Sequence, residues 1–380
     1  MGFRLLYLGL LINSIGIGIL VFVLPLYIDY LKFDSLTLGV IISAEAIAYI
    51  VASPIWGRAS DVVGRKLALV SGMSGYAFVV LLFSFANNPL QILPIRLLQG
   101  FTDASYWTVP TALVVDVYKS DDMEKALGNM GIFQGIGLVT GPLVGGVMTV
   151  EFDYSIAFYL CSALTFLSVL LILFGVHVKK IPSREIKVSS KVWSSFDAKV
   201  KRSFAVVYLG SMMSSLSFGV VVSNFLVHAD NALKGSTFLV GLLLASYYVV
   251  ESFVQPLAGK LCNIIGRRPA ILLAFATCGL GFFTLIFSSS FVSFLVAIAI
   301  VGAGVGQLYI TLTIALMDLA PTAVRGLLSG LQNIAWGVGY FLGPMIGGVL
   351  ALYSVGAPYV FCVMAAVFGG VSTLAYYAPE

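Results

Sequence analysis

The chain has 380 residues, of which 59% are hydrophobic and 10% charged, with a formal net charge of +4. A soluble domain carries roughly 25% charged residues, so the composition excludes a soluble enzyme, a disordered protein and a nucleic-acid binder. The 39 glycines and 13 prolines agree, because both residues are commoner in membrane helices than in soluble ones.

At ~20 residues per span plus short connections, the chain has room for about a dozen membrane helices. Apolar runs of spanning length fall near 5–28, 37–56, 67–86, 90–116, 125–150 and 155–176. The first is too long for a signal-peptide core and lacks a small-x-small cleavage pattern, so it reads as a retained span. A polar stretch at 179–202 follows, with eight basic residues, Glu185, Asp197 and five serines. Six more runs lie near 203–229, 237–258, 269–288, 291–318, 325–352 and 356–378. The expected architecture is an all-α membrane protein: two pseudo-symmetric six-helix bundles, 1–178 and 203–380, joined by a cytoplasmic linker at 179–202.

The two halves repeat at a register of 202 residues. Pro54 meets Pro256, Gly64 meets Gly266, Arg65 meets Arg267 and Asp116 meets Asp318. Gly141-Pro142 and Gly145-Gly146 meet Gly343-Pro344 and Gly347-Gly348. Alternating spans put 18 of the 21 lysines and arginines on the side of the termini and linker, with Lys32 and Lys234 opposite and Arg96 inside a span. By the positive-inside rule that side is cytoplasmic, and the positive net charge is a topology signal rather than a ligand footprint. Cys161, Cys262, Cys278 and Cys362 are scattered without CxxC spacing and read as small core residues. No metal site is expected.

A charge at mid-membrane costs roughly 2.5–3.5 kcal/mol on the insertion scale, so intramembrane ionisable residues are the first functional candidates. On span 4, Arg96, Gln99 and Asp103 fall at i, i+3 and i+7 and share one face. Asp103 reads as a protonatable group modulated by Arg96, either through space or through a bridge at Gln99; mutual compensation in packing is the bland alternative. Glu45 and Tyr49 on span 2 correspond to Tyr247 and Glu251 on span 8, the same acid–tyrosine pair with its order exchanged. A carboxylate beside tyrosines suits a lipophilic cation. Asn13, Trp107, Asn224, Gln307, Tyr309, Gln332, Asn333 and Trp336 are weaker polar or aromatic candidates, and His177 and His228 read as residues of the membrane interface.

The segment Gly57-Arg58-Ala59-Ser60-Asp61-Val62-Val63-Gly64-Arg65-Lys66 after span 2 resembles the signature loop of the major facilitator superfamily. Its copy, Gly259 to Arg268, has Asn263 where Asp61 stands. The resemblance extends over the whole chain. It implies alternating access around a site near the bilayer midplane between the halves. It also implies a cytoplasmic gating latch of Gly57, Asp61, Gly64, Arg65, Lys66 and Asp116 with Gly259, Gly266, Arg267, Arg268 and Asp318. Arg96-Leu97-Leu98-Gln99-Gly100 is similar to a motif of proton-coupled members, and Gly137-x-x-x-Gly141-Pro142-x-x-Gly145-Gly146 resembles one associated with drug–proton antiporters. The second half repeats the latter string from Gly339 to Gly348, so inheritance through the duplication also accounts for it.

These features imply a secondary transporter, expected to export small hydrophobic or cationic molecules in exchange for protons. Proton coupling falls to Asp103, Arg96, Glu45 and Glu251, and substrate binding to Glu45, Tyr49, Tyr247, Glu251, Gln99, Asn224 and Gln307. The sequence has no phosphate-binding GxxxxGK[S/T] loop and no HExxH or GxSxG string, so neither a cofactor nor an enzymatic activity is expected. The expected partners are a small-molecule substrate, protons and the lipid bilayer, without nucleic acid, for a monomer in the plasma membrane. The rivals are a proton-coupled importer of a sugar, amino acid or organic anion, and a non-transporting membrane sensor.

Overall fold

The computed structural model describes residues 2–117, 120–176, 196–321 and 325–376. Residues 179–195, most of the expected linker, lie outside the described residues, as do Lys119 and His177. Twelve helical spans are described. In the first half these are α1 (Gly2–Tyr30), α2 (Ser35–Val63), α3 (Arg65–Phe83), α4 (Pro89–Val117), α5 (Ser120–Glu151) and α6 (Tyr154–Gly175). The second half has α7 (Ala198–Ala232), α8 (Thr237–Ile265), α9 (Arg267–Ile286), α10 (Phe291–Leu319), α11 (Arg325–Ala351) and α12 (Ala357–Thr373). Ten of these are long and apolar enough to cross a membrane. The exceptions are α4, whose apolar run carries the Arg96 and Asp103 charges, and α12, a shorter apolar helix.

By packing, the described chain forms two compact units, Met1–Arg184 with Lys234–Ala245, and Glu185–Leu233 with Ser246–Glu380. In the first, α1 packs along α5 and α6, α2 along α4, and α3 against α4 and α6. The glycines expected to smooth α5 do so. A Cβ on Gly141 would come within 2.6 Å of Ile19 N, and one on Gly145 within 2.9 Å of Phe22. In the second unit Gly343 and Gly347 of α11 meet α7 in the same way, at Gly219 and Asn224. Large side chains such as Phe78, Phe253 and Ile264 face outward, as befits helices solvated by lipid.

The segments 57–66 and 259–268, read from sequence as loops, are helical almost throughout. α2 runs to Val63 and α8 to Ile265, and the reversals into α3 and α9 occupy one residue each. Those residues are Gly64, at φ 102°, and Gly266, at φ 88°, a conformation that a Cβ disfavours. Gly57 lies inside α2, where a Cβ would meet nothing within 4 Å, and Gly259 sits in similar space. The turns therefore depend on the second glycine of each pair. At the other end of α2, Asp34 is the N-cap, accepting from Thr37 N at 2.8 Å, and these hydrogen bonds hold its carboxyl below the usual range.

The α7 span departs from its counterpart. It begins at Ala198, inside the stretch read as linker, and contains a π-helical turn at Val221–Phe225. Before that turn, α7 matches α1 at a register of 201: Ser215 faces Gly339 as Ser14 faces Gly137, and Gly219 faces Gly343 as Gly18 faces Gly141. After it the register is 202, with Asn224 facing Gly347 where Phe22 faces Gly145. The π turn absorbs one extra residue, the usual origin of such a bulge.

Candidate functional site

At the ends of α2, α3 and α4, Arg65 binds Asp61 (Nη1–Oδ1 2.6 Å) and Asp116 (Nε–Oδ2 2.6 Å). It also donates to Ser60 Oγ at 2.5 Å. The second unit repeats the arrangement: Arg267 binds Asp318 at 2.6 Å and donates to Asn263 Oδ1 at 2.7 Å and Cys262 O at 3.0 Å. Asn263 thus keeps the hydrogen bond while dropping the charge of Asp61. Lys66 and Arg268 form no ion pair among the described residues.

Deeper in the first unit, Arg96, Gln99 and Asp103 share a buried face of α4, at 1, 2 and 4% exposure. Arg96 forms its ion pair with Glu45 of α2. Its Nη1 also donates to Gln99 Oε1 at 2.5 Å, and Gln99 Nε2 lies 3.5 Å from Glu45 Oε1. The bridge at Gln99 therefore links Arg96 to Glu45. Asp103 instead accepts from Trp107 Nε1 at 2.8 Å, and it has no ion pair among the described residues. The helices come close because a Cβ on Gly100 would run into Glu45 O; the glycine lets a carboxylate from α2 reach the α4 guanidinium. Tyr49, one turn beyond Glu45, is half-buried, and Ser53 Oγ donates to its carbonyl at 2.8 Å.

In the second unit the equivalent helices meet in the same manner. A Cβ on Gly302 would lie 2.7 Å from Tyr247 O, and one on Gly306 2.5 Å from Glu251 O. Glu251 is partly exposed, makes no ion pair among the described residues, and lies within electrostatic reach of Tyr247 and Tyr309. Beside it Phe218 of α7 gathers Tyr247 at 6.0 Å, Tyr248 at 6.4 Å, Trp336 at 6.1 Å and Tyr340 at 5.6 Å, measured between ring centroids. Of this cluster only Tyr247 and Trp336 stood out in the sequence. Phe218, Tyr248 and Tyr340 come from three helices, and no single-helix periodicity marks them as neighbours. A carboxylate flanked by such faces can attract a cation by charge and by ring quadrupole.

The remaining candidates are dispersed. Asn224 sits in the π turn, accepting from Ser223 Oγ at 2.9 Å, and Gln307 accepts from Thr311 through its backbone carbonyl. Gln332 donates to Ser211 Oγ at 3.1 Å. His228, in the last turn of α7, is half-buried and hydrogen-bonded to Tyr359 OH at 2.8 Å. Among the described residues no group of three His, Cys, Asp or Glu side chains is disposed to hold a metal ion.

Comparison with known proteins bears on this geometry. Residues 6–207 and 207–380 each match the family described as Major Facilitator Superfamily. The chain is 24% identical over 365 residues to Multidrug resistance protein 2 of Bacillus subtilis (strain 168), covering 94% of this chain and 91% of that protein. It is 25% identical over 355 residues to the class B tetracycline resistance protein of Escherichia coli, covering 90% and 87%. A crystal structure of a variant of the nucleoside transporter NupG superposes with a TM-score of 0.86 at 15% identity, over 99% of this chain and 100% of that one; this last likeness is one of fold.

Proposed function

Because the chain belongs to the major facilitator superfamily, and is thus a multi-pass membrane transporter of small molecules, we propose that it exports small hydrophobic or cationic solutes in exchange for protons. The observation that carries this reading is a charge imbalance: of the acids Glu45, Asp103 and Glu251, only Glu45 has a basic partner. An unpaired intramembrane carboxylate is costly when ionised, so each of the other two favours a proton or a cationic solute. The names of the two resistance proteins point the same way. Asp103 serves proton coupling, with Arg96 and Glu45 fixing its surroundings. Glu251 and its ring of aromatic side chains receive the solute, with Tyr49, Gln99, Asn224 and Gln307 as further contacts. Arg65 and Arg267 anchor the gating latch.

In this reading the protein works as a monomer in the plasma membrane with both termini cytoplasmic, in keeping with the distribution of its lysines and arginines. Protonation of a buried acid removes its charge and changes which access state is preferred, and proton and solute alternate by alternating access. The test uses purified protein in liposomes that contain a pH-sensitive dye. Under an imposed proton gradient, lipophilic cations are expected to trigger proton movement in the wild type and not in Asp103→Asn. Proton movement triggered by sugars, nucleosides or organic acids alone would replace this reading with that of an importer.

A further inference from the structure

Within the first unit, a group of oxygens remains that neither the latch nor the Arg96–Glu45 pair engages. Asn13 Oδ1 on α1, Tyr76 OH on α3, Asp103 Oδ1 on α4 and Thr165 Oγ1 on α6 are buried without a hydrogen-bond partner. The four residues are between 0 and 4% exposed. Leaving a buried polar atom unsatisfied costs about 1–3 kcal/mol, so four from four helices of one unit call for a shared ligand.

The helix contacts bring them together. Ser168 Oγ donates to Gly9 O at 2.6 Å and Cys161 Sγ to Gly16 O at 2.9 Å, which fixes how α6 runs along α1. A Cβ on Gly16 would lie 3.4 Å from Thr165 Oγ1 and 3.3 Å from Cys161 Sγ. Asn13 falls at i+4 from Gly9 and i−3 from Gly16, on the stripe of α1 that meets Thr165. Cys161 in turn lies within electrostatic reach of both Tyr76 and Asp103.

The charges around Asp103 specify the ligand. It faces Glu45 from α2, Tyr76 from α3, Arg96 and Tyr106 from its own helix, and Cys161 from α6. Arg96 is the one cation among them and is committed to Glu45, leaving one positive charge to be supplied. The open donors are a carboxylate, an amide oxygen, a hydroxyl and a phenol, all hard oxygens of the kind that hold hard cations. One uncompensated negative charge matches a monovalent ion; a divalent ion would leave an excess charge in an apolar interior.

We propose that Asp103, Thr165, Asn13 and Tyr76 form a sodium site inside the first unit, where a sodium ion takes the place of the proton on Asp103. The inference rests on the reading of Asp103 as the coupling carboxylate and extends it to the identity of the coupling ion. Sodium and proton exclude each other, so raising sodium releases the proton from Asp103.

The test is thermal unfolding of the purified full chain in NaCl, KCl and choline chloride at one ionic strength, at two pH values. NaCl alone is expected to raise the midpoint saturably by about 2–4 °C, and by less at the lower pH, where protons compete. The rise disappears in Asp103→Asn and Thr165→Val and returns in Thr165→Ser, which keeps the oxygen. Sodium also changes the emission of Trp107, whose indole donates to Asp103. Equal shifts from all three salts, or a sodium shift that survives both Asp103→Asn and Thr165→Val, overturns the site. If the sodium effect is absent while Asp103→Asn still abolishes proton movement in liposomes, the sodium site falls and the proton reading stands. A sodium effect that follows the variants, with no proton movement in the wild type, keeps the site and overturns proton exchange.

Discussion

The two halves make the same backbone contact and surround it with opposite chemistry. Gly100 of α4 meets Glu45 of α2, and at the register of 202 Gly302 of α10 meets Tyr247 of α8. Around the first contact stand Arg96, Gln99 and Asp103; around the second, Ile298, Val301 and Val305, all buried. The exchange also runs the other way. Phe218, Tyr248, Trp336 and Tyr340 of the aromatic cluster correspond to Ile17, Ala46, Gln134 and Leu138. The duplicated scaffold holds the helices at a fixed approach, and side-chain substitution alone makes one half ionic and the other aromatic. Carrying charge and recognising an apolar solute are thereby separated onto two copies of one frame.

The most disruptive way to break this comparison is to remove Arg96. Arg96→Met leaves Glu45 buried without its partner and is expected to lower stability by about 3–5 kcal/mol, read as a fall in thermal midpoint. The double variant Glu45→Gln with Arg96→Met recovers most of that loss, since it removes both charges. A double variant no more stable than the single one would show that the ion pair is not what the first half depends on. Next in size are the shared contacts: Gly100→Ala and Gly302→Ala each force a Cβ against a carbonyl oxygen and are expected to destabilise by similar amounts, about 1–3 kcal/mol. A loss in one half only would deny that the frame is common to both.

Smaller effects sharpen the chemical difference. Trp336→Ala is expected to weaken binding of a lipophilic cation by about 0.5–2 kcal/mol, roughly 2- to 30-fold in affinity, while Leu138→Ala at the matching position leaves it unchanged. Titration of substrate-dependent fluorescence in detergent measures both. The smallest contrast lies in the latch. Arg65→Ala removes two partly exposed ion pairs and is expected to cost about 1 kcal/mol, whereas Lys66→Ala, which loses no ion pair, changes the midpoint within error.

Much of the frame was legible in sequence because membrane solvation writes it plainly. Every span shows as an apolar run, and glycine, proline and end-of-helix aspartates marked the repeat. The buried face of Arg96, Gln99 and Asp103 followed from helical spacing alone. The partner of Arg96 did not, because residues on one helix give no account of a carboxylate reaching in from α2 past Gly100. The aromatic cluster was hidden for a related reason, its rings coming from α7, α8 and α11. The turns at Gly64 and Gly266 were read as loops of ten residues because their polar composition resembles a loop, while a single positive-φ glycine suffices to reverse the chain. The π turn left no compositional trace: Val221 to Phe225 is as apolar as any helix, and only the glycine contacts on either side reveal the change of register.

That turn limits how far the halves can be exchanged. One residue of an α-helix corresponds to about 100° of rotation and 1.5 Å of rise. A chimera that grafts α1 in place of α7 would seat correctly over its first turns, with Ser14 and Gly18 meeting Gly339 and Gly343, and then arrive rotated by that angle where Asn224 meets Gly347. Such a graft needs one added residue after Gly18 to restore the second half's phasing; equally, trimming one residue from Val221–Phe225 would rephase the outer part of α7 to match its ancestor-like twin.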